Sequence, residues 1–155
     1  MLKNWNKPRC PEEEELLTRL KAARERLTVQ QMQIKEKKLP VLILFEGWGA
    51  AGKGSVLGKV IRNIDPRFFQ VATMGKPTEE EARKPFLYRY FVQIPEAGKF
   101  KFLDGGWMDE ITQAVLYKKT DEEHYKEQIE SVRRFERQLT DNGYLVVKFF
   151  FQISE

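Results

Sequence analysis

The stretch VLILFEGWGAAGKGSVLGKVI, residues 41–61, decides the fold. It opens with VLILF, a short continuous apolar run of the kind that forms a strand buried on both faces of a parallel sheet. It then turns glycine-rich, and from Ser55 to Asn63 it reads as a helix that Asp65-Pro66 ends. Gly47, Gly52 and Lys53 give the spacing G-x-x-x-x-G-K between strand and helix. That chemistry suits a phosphate. Glycines let the chain curl with its N–H groups pointing inward, the helix start adds the positive end of its dipole, and the lysine adds a point charge. The phosphate-binding residues expected on this basis are Gly47, Gly49, Ala50, Ala51, Gly52, Lys53, Gly54 and Ser55. A ligand-free glycine turn is the plainer alternative. One position looks irregular. The residue after the lysine is usually a hydroxyl that meets Mg²⁺, and here it is Gly54. Ser55 lies about 100° further round the helix and is no simple replacement.

Strands and helices alternate outward from this stretch. FQVATM (69–74), KFKFLD (99–104) and YLVVKFFF (144–151) read as strands. Residues 78–93 read as helical with a break at Pro85, and residues 121–141 as a charged helix stopped by Asn142-Gly143. Residues 11–38 read as one long helix, with Glu12–Glu15 at its positive end and Pro40 beyond its stop. Leu16, Leu17, Leu20, Ala23, Leu27 and Ile34 form an interrupted apolar stripe along it, suited to docking on the sheet or to a partner helix. The fold expected is α/β, a three-layer domain with a mostly parallel sheet over residues 41–155, preceded by an N-terminal helical extension over residues 1–40.

The whole chain bounds the function. Its 155 residues suit one domain with a real core, and 41% hydrophobic content with eleven Phe argues against disorder. Twenty-three acids offset twenty-seven bases, leaving +4, too dispersed a charge to point to nucleic acid. No apolar run approaches the ~18 residues of a membrane span. A single Cys10 without an activating neighbour fits a reducing cytoplasm. Asp104, ending an apolar strand, is placed to deliver a carboxylate to a metal beside the loop, or else to cap the Gly105-Gly106 turn.

EGWGAAGKG, IDPRFFQV, GKPTEEE and FLYRYFVQIPEAGKFKFLDGGW, in that order and spacing, resemble the polyphosphate kinase 2 family from about residue 10 to the end. The resemblance implies a P-loop kinase fold, Mg²⁺ (or Mn²⁺), and phosphoryl transfer between polyphosphate and an adenine nucleotide, AMP or ADP. It is greatest to the N-terminal copy of two-domain members. Members typically continue into lid and C-terminal helices, so a chain truncated before them is expected; the two-copy members imply a second domain C-terminal to it, and its apolar edges suggest a homo-oligomer. Lys53, Asp104 and Arg89 then become the catalytic candidates, Lys76 a phosphate contact, and Asp104 the metal ligand.

The departures are specific. The family loop reads G-x-D-x-x-G-K-G, which makes Gly54 ordinary and Gly49 the missing acid. The family strand end reads D-R-S-W-Y, whereas this chain has Asp104-Gly105-Gly106-Trp107-Met108. One carboxylate and one arginine are absent, and phosphoryl transfer depends on such groups. A catalytically degenerate copy, serving assembly or polyphosphate and nucleotide binding beside an active copy, is therefore the alternative. An unrelated P-loop NTPase is a further one. Glu46, Asp109 and Glu110 are possible substitute acids. Arg89 could equally be a buried structural arginine, Lys76 a surface lysine, Asp65-Pro66-Arg67 a turn, and His124 a solvated helix residue.

Overall fold

A computed structural model describes residues 11–153. Cys10, the start of the 1–40 extension and the last two residues lie outside that range. The elements run α1 (Glu13–Glu36), β1 (Val41–Gly47), α2 (Lys53–Ile61), β2 (Phe69–Thr73), α3 (Glu79–Ala82), α4 (Tyr88–Phe91), β3 (Phe100–Asp104), α5 (Trp107–Leu116), α6 (Glu122–Asp141) and β4 (Leu145–Phe151). A 3₁₀ turn at Pro66–Phe68 leads into β2, with Asp65 capping it through the Arg67 amide.

The four strands form one parallel sheet in the order β2-β3-β1-β4. Alternation along β1 builds the three layers. Leu42 and Leu44 pack with Leu103, Trp107, Ile111, Val132, Phe135 and Leu139, under α5 and α6. Val41 and Phe45 pack with Leu57, Ile64, Phe100 and Phe102, under α2. Each such fully buried Leu or Phe contributes roughly 1.5–3 kcal/mol of transfer free energy. β1 is therefore buried on both sides, as its unbroken apolar run requires.

The first half of α1 stands off the core. Leu27 and Ile34 pack on the α2 side, but Leu16, Leu17 and Leu20 are 42%, 60% and 42% exposed. The helical stretch 78–93 is two single turns, α3 and α4, because Pro85 interrupts it. α5 has no counterpart among the expected elements: the two glycines before it read as an open turn. Trp107 and Ile111, one turn apart, bury its inner face. β4 lies at the sheet edge, with Phe149 and Phe150 about half exposed.

The chain crosses from β3 on one side of β1 to β4 on the other. The carboxyl end of β1 thus lies at a topological switch point, where open α/β sheets take their ligands.

Candidate active site

β1 delivers the loop. Gly47 adopts φ 130°, and a Cβ there would lie 2.1 Å from the Phe151 carbonyl oxygen, so β4's approach alone requires glycine. Trp48 N donates to that same oxygen at 3.2 Å. Ala50 sits at φ 60° and Gly52 at φ 84°, so the chain turns twice through left-handed backbone before α2 begins at Lys53.

Lys53 reaches back under the loop. Its Nζ donates to the carbonyls of Gly47 at 2.7 Å and Trp48 at 3.2 Å. Its remaining direction faces Asp109 Oδ2, 3.9 Å away. Asp109 Oδ1 accepts the Gly47 N–H at 2.8 Å. Asp109 stands in the first turn of α5, so α5 and the loop are tied by one carboxylate. Burial raises its pKa, with Asp104 pushing the same way, while the Gly47 amide and Lys53 pull it down.

Asp104 comes to the loop through sheet register. It pairs with Phe45 across the β1–β3 ladder, two residues before Gly47. A Cβ on Gly54 would sit 3.5 Å from Asp104 Oδ2. The irregular glycine after Lys53 therefore faces the strand-end acid. Gly106 is the N-cap of α5 and takes no side-chain cap, and Asp104 accepts no side-chain hydrogen bond among the described residues.

Glu46 lies beneath this layer, 4% exposed. Its Oε1 accepts the Met108 N–H at 3.0 Å. Burial lifts its pKa from 4.5 to about 7, against the pull of that amide and with Asp109 adding to the rise. Its carboxyl lies against Gly106, where a Cβ would come 2.2 Å from Oε1 and would have to push it aside.

None of the other candidates hydrogen-bonds or ion-pairs with Lys53 among the described residues. Arg89 is 6% exposed. Its guanidinium donates to the Gly75 carbonyl at 2.8 Å and to Glu110 at 3.4 Å, and faces Glu81 at 3.9 Å. Tyr90 Oη donates to the same Glu110 carboxylate. Arg89 thus ties down the Gly75–Lys76 turn from behind, while Lys76 is exposed on it. That turn lies beside the site, because Met74 N donates to the Asp104 carbonyl at 2.8 Å. Ser55 is exposed on the first turn of α2. His124 donates its amide to the α6 N-cap Asp121, and its ring faces Glu127 at 3.7 Å, a helix-surface arrangement.

Asp109 is the site residue that the sequence did not single out. It entered only as one of three possible substitute acids. The available signal was an acid two positions past Trp107, in what proves to be a helix first turn. Between the loop, α5 and β4 lies a cleft of about 420 Å³ bordered by Trp48, Gly49, Asp109, Thr112, Tyr117 and Phe150, among others.

For a divalent cation the donors are hard carboxylate oxygens, the type Mg²⁺ takes. No group of three or more His, Cys, Asp and Glu able to hold a metal occurs among the described residues. Asp104 and Asp109 stand near enough for their charges to act on each other, and both are donors of the type used by an ion that takes the rest of its shell from water and phosphate.

A nest-forming loop with its lysine at the end of a central parallel strand, and an acid at the end of the next strand, defines a P-loop kinase-like domain. The family model for Polyphosphate kinase 2 matches residues 11–155, and the chain belongs to that family. It is 33% identical over 134 residues to the polyphosphate:AMP phosphotransferase of Pseudomonas syringae pv. tomato, covering 86% of this chain and 27% of that protein. It is 30% identical to ADP-polyphosphate phosphotransferase 3 of Rhizobium meliloti, covering 84% of this chain and 46% of that one. A crystal structure assigned as polyphosphate kinase 2 from Pseudomonas aeruginosa superposes with a TM-score of 0.91 at 28% identity, over 100% of this chain and 34% of that chain. The chain thus spans about a quarter to a half of the length of these relatives.

Proposed function

We propose that this chain binds polyphosphate at the Lys53 loop and takes part in phosphoryl transfer between polyphosphate and an adenine nucleotide, AMP or ADP. The observation that carries this reading is the convergence of Lys53, Asp104 and Asp109 at the carboxyl end of β1. The loop amides and Lys53 hold phosphate oxygens. Asp104 and Asp109 would hold Mg²⁺, which would supply positive charge against the transferring group. In transfer from the polymer, a terminal P–O–P bond breaks, a nucleotide phosphate oxygen bonds to the released phosphorus, and the shortened polyphosphate leaves. The acceptor oxygen is already ionised, so no general base is needed. Lys76, on the turn beside Asp104, contacts the polyanion further along. Arg89 acts through that turn rather than at the reacting atoms.

The second reading is a copy that binds without turning over, beside an active copy. The missing acid at Gly49 and the missing arginine at Gly105 favour it. The exposed Phe149 and Phe150 on β4 support self-association, and the single cysteine supports a cytoplasmic setting.

A coupled assay with polyphosphate, Mg²⁺ and AMP or ADP, on wild type and Lys53→Ala, separates these readings. Turnover abolished by the substitution supports the first. Absent turnover with polyphosphate binding that Lys53→Ala removes supports the second. Binding that survives Lys53→Ala unchanged overturns both.

A further inference from the structure

The charges around the loop do not favour a polyanion. Lys53 brings one positive charge, and Asp104 and Asp109 bring two negative ones. Asp109 also occupies what a phosphate would want, since it takes the Gly47 N–H at 2.8 Å and faces the Lys53 ammonium at 3.9 Å. Its side chain is only 16% exposed, and Lys53's only 17%, so solvent screens the pair weakly. The acid comes from α5, 62 residues from the loop position it touches. Meanwhile the loop's own position for an acid, Gly49, has open space where its Cβ would be.

We propose that Asp109 is a positioning and specificity residue that replaces the loop acid from outside the loop and makes phosphate-chain binding obligatorily dependent on a divalent cation. This rests on the polyphosphate reading above. Asp109 holds Lys53 and the Gly47 amide in place by its two oxygens. The surplus negative charge it creates excludes a bare phosphate chain and admits one that arrives with a cation. Removing the charge should make the loop a cation-independent anion site, because Lys53 would then have no carboxylate within ion-pair distance among the described residues.

The test is calorimetric titration of the full chain with tripolyphosphate, with and without Mg²⁺. The proteins are wild type, Asp109→Asn, Asp109→Ser, Asp109→Glu and Lys53→Ala. Wild type should bind only with Mg²⁺. Asp109→Asn should bind without Mg²⁺, on the order of 10-fold or more tighter than wild type does, because a like charge near contact distance has gone. Asp109→Ser reads the same loss should the amide variant not fold, since its hydroxyl can still accept from Gly47. Asp109→Glu keeps the charge and should keep the Mg²⁺ requirement. A purely structural role would weaken binding in all three variants and leave the Mg²⁺ dependence at the wild-type value. If the Asn and Ser variants retain the wild-type dependence while Lys53→Ala abolishes binding, this inference falls and the functional reading stands. If wild type binds tripolyphosphate under neither condition, the functional reading falls and takes the inference with it.

Discussion

Two glycines stand where the family pattern has charged side chains, and they differ in kind. Gly49, in the loop, lies outside the left-handed region, and a Cβ there would meet nothing within 4 Å. Gly105, in the β3–α5 turn, sits at φ 93°, and a Cβ there would meet the Met74 carbonyl oxygen at 3.1 Å. At Gly49 only a side chain is missing, and the backbone would still accept one. At Gly105 the backbone lies in the left-handed region, and a side chain would crowd the Met74 carbonyl. Gly106 extends the contrast, because the buried Glu46 carboxyl fills the space its side chain would need. Restoring the family's residues is therefore a different experiment at the two ends of the site.

The contrast is tested most strongly at Glu46, the group around which the turn is packed. The folded-state pKa of this carboxyl is raised from 4.5 to about 7. The native chain therefore binds its proton more tightly than the unfolded chain does. Stability should fall as pH rises from about 4.5 through about 7, by about 3 kcal/mol, and be flat above. The groups facing it are the Met108 amide, Asp109, Lys148 and Glu136. Glu46→Gln keeps an acceptor for Met108 and should remove most of that slope, which denaturant titrations across pH 4–9 would measure. An unchanged slope would mean that the turn is not built on a protonated Glu46.

Gly105→Arg comes next. It should cost about 2 kcal/mol, from left-handed backbone strain and the contact with Met74, and should raise no activity. A stable, activated Gly105→Arg protein would show that the turn is as open as the loop. Arg89→Met tests what holds the Met74–Lys76 segment against Gly105. Its loss leaves the Gly75 carbonyl without that donor and half-buried Glu110 with the Tyr90 hydroxyl alone, and should lower stability by about 1–2 kcal/mol in the same titrations. The smallest effect is expected at Gly49→Asp, within ~0.5 kcal/mol of wild type, because the new side chain enters open space. A loss above ~1 kcal/mol there would erase the difference between the two glycines.

Much of the fold was legible from local pattern. VLILF is apolar without interruption, and β1 is indeed paired on both edges and covered on both faces. The long helices were bounded by their charges and stops to within a few residues. α5 was not legible, because Gly105-Gly106 reads as an open turn and Trp107 and Ile111 are too few to show a period. The stripe on α1 was legible as a stripe, but not that only its C-terminal half would reach the core.

Local spacing is enough to specify the loop, its lysine and the strand-end Asp104. Each is set by short-range spacing, glycine–lysine intervals and an apolar run that ends in an acid. The residues that meet them are set by packing between distant segments. Asp109 meets Gly47, and Glu46 meets Met108, each across 62 residues. No local periodicity encodes such contacts. They follow from parallel register at β1 and β3 and from the way Trp107 and Ile111 seat α5 on the sheet. The neighbour of Gly106 comes from β1 in the same way: a side chain there would have to displace the ends of Glu46 and Leu44.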